Sequence, residues 1–581
     1  MRVAALYAAR LRRFMRNEDG NMVVFGVLLS LTMMMIGGLS IDLMRQEKAR
    51  TEIQQTLDRG VLAAASLNQP LDPIDVLTDY FAKAGLDGLL NTTDVQTEQD
   101  GITGVDLTSD YRSVTAMAGT TVPPLFVQLM GQGGLSAYAS ATAEQKKSDV
   151  EISLVLDVSG SMAEAPSSGS ITKLENLKIA AKDFVTAMMV NIGPDRVSIN
   201  LIPYNGQVNL GPDAFAAFST TDTHGKPEAF CIDLPAAQYT TKDGTTNLVT
   251  TTINMATSYP QAAFADTFAW ADTINPDANL YTNTKEDMPP PYQDADGYYS
   301  GMFCQPEQET YVEAFSNDEA ALHARIDALI PVGHTSIDVG MKWGVGLLDP
   351  STQGLTTSLI GAGKVSAEMS GRPHAYDAAD VLKAVVLMTD GENQPSDTVN
   401  ARSGLSPIYG GTYTETTGGV TRTLQGMSLH WPTRSQPAKY WMPHLGGWRV
   451  TLAEGLTGAT QFTWPQVWER ARMKWVAWQL FGRPNLVDGR TMQGRYAWYM
   501  NQFSTTVSKA NMNIRLDNLC DAAKAKGILV YSVAFEADDD GKAQLQSCAS
   551  SIAHYFDASG LEIESAFSSI ASNIIRLRLT Q

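Results

Sequence analysis

EISLVLDVSGSM, residues 151–162, is an apolar run that stops on a cluster of small oxygen-bearing side chains. Ile152 to Leu156 reads as a buried strand. The strand ends in Asp157-Val158-Ser159-Gly160-Ser161, which sets three short oxygen side chains at alternate positions of one turn, with a glycine for tight curvature. Asp, Ser and Ser suit a hard cation such as Mg2+, which takes compact oxygen ligands in near-octahedral geometry. The same residues also suit a strand followed by a helix N-cap turn. The stretch alone leaves both readings standing, and the rest of the chain separates them.

At 581 residues the chain is too long for one core; at roughly 150 residues per domain it implies about two to four. Its 44% hydrophobic and 18% charged residues are those of a folded protein. A net charge of −19 argues against a general nucleic-acid role. Arg2, Arg10, Arg12, Arg13 and Arg16 nevertheless crowd the N-terminus. The four cysteines, Cys231, Cys304, Cys520 and Cys548, form no zinc-type spacing. In an exported protein two disulfides are the simple reading, 231–304 with 520–548 being one pairing, and free core thiols are the alternative.

Gly20 to Ile41 carries no charge, and its apolar part, Met22 to Ile41, is long enough to cross a bilayer as a helix. Five arginines precede it, while Arg45, Lys48 and Arg50 follow, so the bias places the N-terminus inside. A cleaved signal sequence competes, because Gly38-Leu39-Ser40 is a small-x-small site. The length of the apolar run favours an uncleaved anchor. Ile41, Met44, Ile53, Leu57, Val61 and Ala64 then keep rough helical spacing, with no proline before Pro70. A long helix, membrane-embedded first and amphipathic later, resembles a type IV pilin opening. Such precursors are cut after a Gly and carry a Glu five residues into the mature helix. Here Gly20 puts Phe25 at that position, so the comparison implies a permanently anchored relative of that architecture.

Pro70-Leu-Asp-Pro73 breaks the helix. A short helix within Val76 to Leu90 and β-like stretches at Ser113 to Val122 and Leu135 to Ala143 predict a small α+β module, with Pro123 to Met130 as a helical turn or two between the strands. Beyond it, Ile171 to Val190 is an amphipathic helix and Arg196 to Tyr204 a strand, so strand, helix and strand predict a right-handed crossover and a parallel sheet. Helices at Asn317 to Ile330 and Val339 to Leu348 flank a loop holding Thr335. Val381 to Met388 is a buried strand ending in Thr389-Asp390-Gly391; Ile528 to Phe535 and His554 to Asp557 are further strands, and Leu561 to Leu579 closes the chain as a helix. The pattern is a doubly wound α/β domain, whose ligand edge is the carboxyl ends of its strands.

Asp-x-Ser-x-Ser, then a Thr in a Gly-containing loop, then Thr-Asp-Gly resembles the metal-ion-dependent adhesion site of von Willebrand factor A domains. The matching residues are Asp157, Ser159 and Ser161, then Thr335, then Asp390. The resemblance implies a Mg2+ ion, with Mn2+ or Ca2+ as alternatives, held by these five residues and open to an acidic group of a partner. His334 is read as a loop histidine bonding backbone, Asp338 as a cap for the next helix, and neither it nor Glu392 as a metal ligand. The chain as a whole is similar to TadG-like proteins of tight-adherence, Flp-type pilus systems. The Arg-rich start, Gly20 to Phe25, the Gln54 to Ala65 helix, DVSGSM and the Cys520 and Cys548 segments carry that likeness. It implies a basic cytoplasmic segment (1–19), a transmembrane helix (20–41), a long helix with a small pilin-like module (42–146) and a von Willebrand A domain (147–581).

Two insertions, about 206–316 and 396–504, fall outside the likeness and lie where they could rim the metal edge. The second holds eight of the ten tryptophans. Trp464, Trp468, Ala471, Trp475 and Trp478 lie on one helical face after a Thr463 N-cap, as a core seam or as a partner or glycan platform.

The resulting expectation is a non-enzymatic, inner-membrane pilus assembly or adhesion factor with one span, its bulk outside the cytoplasm. Its partners would be proteins of the pilus or secretion apparatus, gripped through an acidic residue, with no nucleic acid and no small-molecule substrate. A metal-dependent envelope enzyme and a von Willebrand A partner of an ATPase are the alternatives. Seven scattered histidines and the lack of GxSxG, HExxH and P-loop patterns disfavour the first, and the anchor disfavours the second.

Overall fold

An unbroken helix, α1 (Asn21–Ala64), opens the described part of the chain. The computed structural model describes residues 21–67, 69–99, 111–126, 128, 131, 133–146, 148–167, 169–225, 229–239, 252–262, 304, 306–378, 380–484 and 489–580. The basic segment expected at 1–19 and much of the first insertion lie outside these residues. The chain divides into two compact units, Met1–Lys147 and Ser148–Gln581.

In the first unit α1 is followed by α2 (Pro73–Lys83) and an antiparallel sheet of β1 (Gln96–Gln99), β2 (Tyr111–Val122) and β3 (Leu135–Lys146). The upstream half of α1 exposes Met22, Val23, Phe25, Leu28 and Met33. Among the described residues it is the one helix long and apolar enough to cross a membrane. The helix runs straight through Gly38-Leu39-Ser40, and a Cβ on Gly38 would lie 2.4 Å from the Phe126 ring. Asp42, the first charge after the apolar run, is buried and accepts from the backbone N–H groups of Leu125 (2.9 Å) and Phe126 (2.7 Å). The downstream half buries Ile53, Leu57 and Val61 in one core with Val114 and Ala116 of β2 and Phe81 of α2. Pro73, read from sequence as a breaker, also starts α2: it sits in the first turn behind the Asp72 N-cap, where its missing N–H costs nothing.

The second unit begins β4 (Asp149–Asp157), α3 (Lys173–Ile192), β5 (Val197–Tyr204), β6 (Glu313–Ser316), α4 (Glu319–Ala328), α5 (Ile337–Gly346) and β7 (Val381–Thr389). The second insertion then supplies β8 (Ser396–Val399), β9 (Leu405–Thr417), β10 (Val420–His430), β11 (Tyr440–Met442), β12 (Gly447–Arg449), β13 (Thr457–Thr463), α6 (Trp464–Arg470), α7 (Met492–Phe503) and β14 (Ser504–Val507). The chain closes with α8 (Lys509–Ala525), β15 (Leu529–Phe535), α9 (Asp539–Cys548), β16 (Tyr555–Ala558) and α10 (Glu562–Thr580).

Six strands form the central sheet in the order β16-β15-β7-β4-β5-β6. Neighbours are parallel except β5 and β6, which are antiparallel. One apolar core joins this sheet to α3, α4 and α10, and a second joins it to α5, α8 and α9. The other extended sheets of the chain, β1-β2-β3, β8-β14 and the five-stranded β12-β11-β10-β9-β13, are antiparallel. The expected doubly wound, mostly parallel arrangement therefore describes the central sheet alone, and the chain as a whole is mixed α/β with mostly antiparallel sheets. Both expected disulfides are present, Cys231–Cys304 and Cys520–Cys548, with Cα–Cα separations of 5.7 and 5.0 Å.

The second insertion has its own core, in which Trp441, Trp464, Trp468 and Trp475 pack with Ile408, Leu429 and Phe503. The single tryptophan-bearing helix expected from sequence is broken. The α6 helix starts on a Thr463/Gln466 capping box and stops at Ala471, which is extended at φ −141°, ψ 143°. A short helix, Met473–Trp475, then runs into a π-helical stretch, Val476–Gly482. The stripe still ends up inside, with Trp464, Trp468, Trp475 and Trp478 all 7% exposed or less. The core reading holds, and the exposed-platform reading is overturned because no ring face is left for a partner.

Trp468→Ala should cost about 3–5 kcal/mol within the insertion, the usual loss for a large aromatic cut from a packed core. Limited proteolysis of the full chain should then cleave first between residues 400 and 503. First cleavage within the central sheet would contradict an insertion core of its own.

Candidate metal centre

The register of the central sheet sets two acids side by side. Leu156 of β4 pairs with Met388 of β7, so Asp157 ends one strand beside Thr389, and Asp390 follows directly. On the other flank Asp157 pairs with Tyr204, the last residue of β5. Asp157 is fully buried. Its Oδ1 accepts from the Ser159 N–H at 2.8 Å and its Oδ2 from the Thr389 hydroxyl at 2.5 Å. Ser159 Oγ and Ser161 Oγ are 3.1 Å apart, and the Ser161 hydroxyl donates to Asp390 Oδ1 at 2.7 Å. The Lys173 ammonium, from the first residue of α3, donates to Asp390 Oδ2 at 3.0 Å. Burial, and after it the negative charge of Asp390, pushes the Asp157 carboxyl up to about 7. The Tyr204 hydroxyl, which donates to the Met388 carbonyl at 3.0 Å, is raised well above its ordinary value by burial and then by Asp157.

The loop holding Thr335 is bonded to both neighbours. The Gly160 N–H donates to the Gly333 carbonyl at 2.9 Å, and the Val332 N–H to Val158 at 2.7 Å. A Cβ on Gly160 would sit 3.3 Å from that Gly333 oxygen, so a side chain there would crowd the loop. On the far side the Gln394 N–H donates to the Thr335 carbonyl at 2.9 Å, and the Ile337 N–H to Asn393 Oδ1 at 2.7 Å. Thr335 itself is buried. Side-chain hydrogen bonds thus join Asp157, Ser159, Ser161 and Asp390, and backbone bonds hold the Thr335 loop against theirs.

Residues set aside from the shell have other work. His334 is half-buried, and burial holds its pKa below the ordinary value. The cap position of α5 belongs to Ser336, not to Asp338. Asp338 lies buried in the first turn, 3.6 Å from Arg515 of α8. Glu392 pairs with Lys509, which also reaches Asp540 at 2.7 Å. Sequence reading missed Lys173 and Asn393, and it quoted Thr389 only as part of the Thr-Asp-Gly motif. Only Lys173 carried a local signal, a cation at a helix start, where the backbone dipole favours an acid.

Among the described residues no group of three or more His, Cys, Asp or Glu side chains is placed to hold a metal. The donor set here is two carboxylates with hydroxyls, all of them oxygen. Burial and the Asp390 charge disfavour a second negative charge on Asp157, and Lys173 sets a cation on Asp390. These residues fit a hard divalent ion.

Residues 20–67 match the family model described as "Tad: Putative Flp pilus-assembly TadE/G-like". No curated protein matches the chain. Among solved structures, the vWF domain of the type V pili tip protein Mfa5 from Porphyromonas gingivalis is 12% identical, over 75% of this chain and 97% of its own, with a TM-score of 0.29. The pilus adhesin SpaC from Lactobacillus rhamnosus GG is 11% identical over 83% of this chain and 34% of its own, with a TM-score of 0.27. The adhesive tip pilin GBS104 from Group B Streptococcus agalactiae is 10% identical over 73% and 100%, with a TM-score of 0.27. At these scores the likenesses fix neither fold nor function.

Asp338 provides a pH test of the loop cluster. Its carboxyl is pushed up to about 6, first by burial, with Arg515 pulling the other way. A raised carboxyl favours the fold while protonated, so its contribution is full below about pH 4 and is lost as pH rises through about 6. The melting temperature of the wild type should fall across that window, and Asp338→Asn should flatten the fall, with Asp233 and Tyr239 still facing Arg515. An equal slope in the variant would contradict this role.

Proposed function

We propose that this chain is a membrane-anchored, non-enzymatic factor of pilus assembly or adhesion. Its Ser148–Gln581 unit would act as a von Willebrand A-like domain that grips an acidic group of a protein partner. The observation that carries the reading is the convergence of Asp157, Ser159, Ser161, Asp390 and the Thr335 loop at the carboxyl edge of the central sheet. The chain also opens with a TadE/G-like apolar helix. Hydroxyls of Ser159, Ser161 and Thr335, with Asp157 and Asp390 balancing charge, would hold Mg2+, or Mn2+ or Ca2+ in its place. When bound, such an ion offers a Lewis-acid position that a carboxylate can fill. Asp157, tied by Thr389 and the Ser159 N–H, keeps the serine turn in shape. The charge bias around the apolar helix supports a cytoplasmic N-terminus, with residues beyond about 42 outside the inner membrane. The domain scheme is then the basic segment 1–19, the span 20–41, the small module 42–146 and the domain 147–581. Its two insertions leave from loops at the metal edge and would form a rim that selects what reaches it.

Crosslinking in native membranes tests this directly. Asp157→Ala and Thr335→Ala should each lose capture of an envelope or pilus protein that the wild type captures in Mg2+ and not in EDTA. Capture that survives both EDTA and the substitutions would overturn the metal-dependent grip.

A further inference from the structure

Lys173 is the first residue of α3, directly after the Thr172 N-cap. A cation there faces the positive end of the helix dipole, where Glu175 in the same turn is the favourable sign. Lys173 is nevertheless held inside, its side chain 9% exposed and its ammonium 3.0 Å from the fully buried Asp390 carboxylate. Its backbone N–H is fixed to the Glu164 carbonyl at 2.9 Å, just past the serine turn. Both oxygens of Asp390 are therefore engaged, one by Ser161 and one by Lys173.

We propose that Lys173 is a tethered competitor of the divalent cation: its ammonium neutralises Asp390 in the metal-free protein and withdraws when the ion binds. The inference rests on the metal reading above and adds a built-in threshold to it. An ion balanced by Asp390 would stand close to the ammonium on the same buried carboxylate, and the repulsion between the two cations opposes holding both. A second anion is at hand. Glu536, which follows β15, is half-buried and accepts from Ser167 N (2.9 Å), Ser167 Oγ (2.6 Å) and Gly560 N (3.1 Å). Burial works against its charged form, but those bonds and the Lys173 charge keep its carboxyl below the ordinary range. The site would fill only where the divalent ion is plentiful, and an empty site would stay folded.

The experiment is a titration of the full chain in detergent micelles with MnCl2 and with MgCl2, read by calorimetry and by thermal shift. Wild type, Lys173→Met and Asp157→Ala are compared. The metal-free Lys173→Met chain should melt below the wild type and gain more on adding metal, and it should bind Mn2+ at least about tenfold tighter. Asp157→Ala should bind neither ion. A Lys173→Met chain with wild-type near-UV circular dichroism and equal or weaker metal affinity would overturn the competitor role while leaving the metal site standing. Absence of binding to both wild type and Lys173→Met would overturn the metal site and this inference together. If Lys173→Met does not fold, Lys173→Gln carries the same expectations.

Discussion

Asp157 and Asp390 terminate neighbouring parallel strands inside the protein, and their shared negative charge has to be answered there. Isolated buried carboxylates are expensive, so their surroundings are arranged around them. Thr389 and the Ser159 N–H take up Asp157, while Ser161 and Lys173 take up Asp390. The β4–β7 register brings the two acids together, since a shift of one residue would turn one of them to the other face. Each of the loops that cross this edge is then tied to the next by backbone bonds.

The second insertion exploits that edge without disturbing the sheet. It leaves just after Asp390 and returns through an antiparallel ribbon in which Ser396 pairs with Val507 and Val399 with Ser504. Everything between is stabilised by its own aromatic core, so its sequence can be long without loading the central sheet. On returning, the chain enters α8, whose first turns reach back. Asn513 bonds Asn393, Lys509 pairs with Glu392, and Arg515 faces Asp338. The loops of this edge are thus held from inside by the sheet and from outside by the helix that closes the insertion.

In the first unit one helix serves two environments. The apolar half of α1 shows its side chains outward, and the following half packs Ile53, Leu57 and Val61 inward. The change comes at Asp42, whose carboxylate is satisfied by two backbone N–H groups and lies 3.8 Å from Arg45. Gly38, tight against Phe126, lets the loop before β3 approach the helix just above that point.

Periodicity alone made the regular elements legible. The strands at Ile152 to Leu156 and Val381 to Met388, the helix after Ile171 and the closing helix were read within a few residues, because apolar runs and helical stripes are local properties. The five expected site residues were legible as oxygen donors, four of them at or just after strand ends and Thr335 in the loop between two helices. The tryptophan stripe was legible as a seam but not as a broken helix, because the extended Ala471 and the π-helical turn are set by packing around Trp441 and Phe503. Sequence by itself determined the long apolar helix, the α/β alternation and the donor chemistry of DVSGSM. Tertiary structure alone decided that Lys173 would face Asp390, that Arg515 would face Asp338, and that the second insertion would carry a core of its own. Those pairings join residues far apart in the chain, and a buried charge finds its partner through space rather than along the sequence.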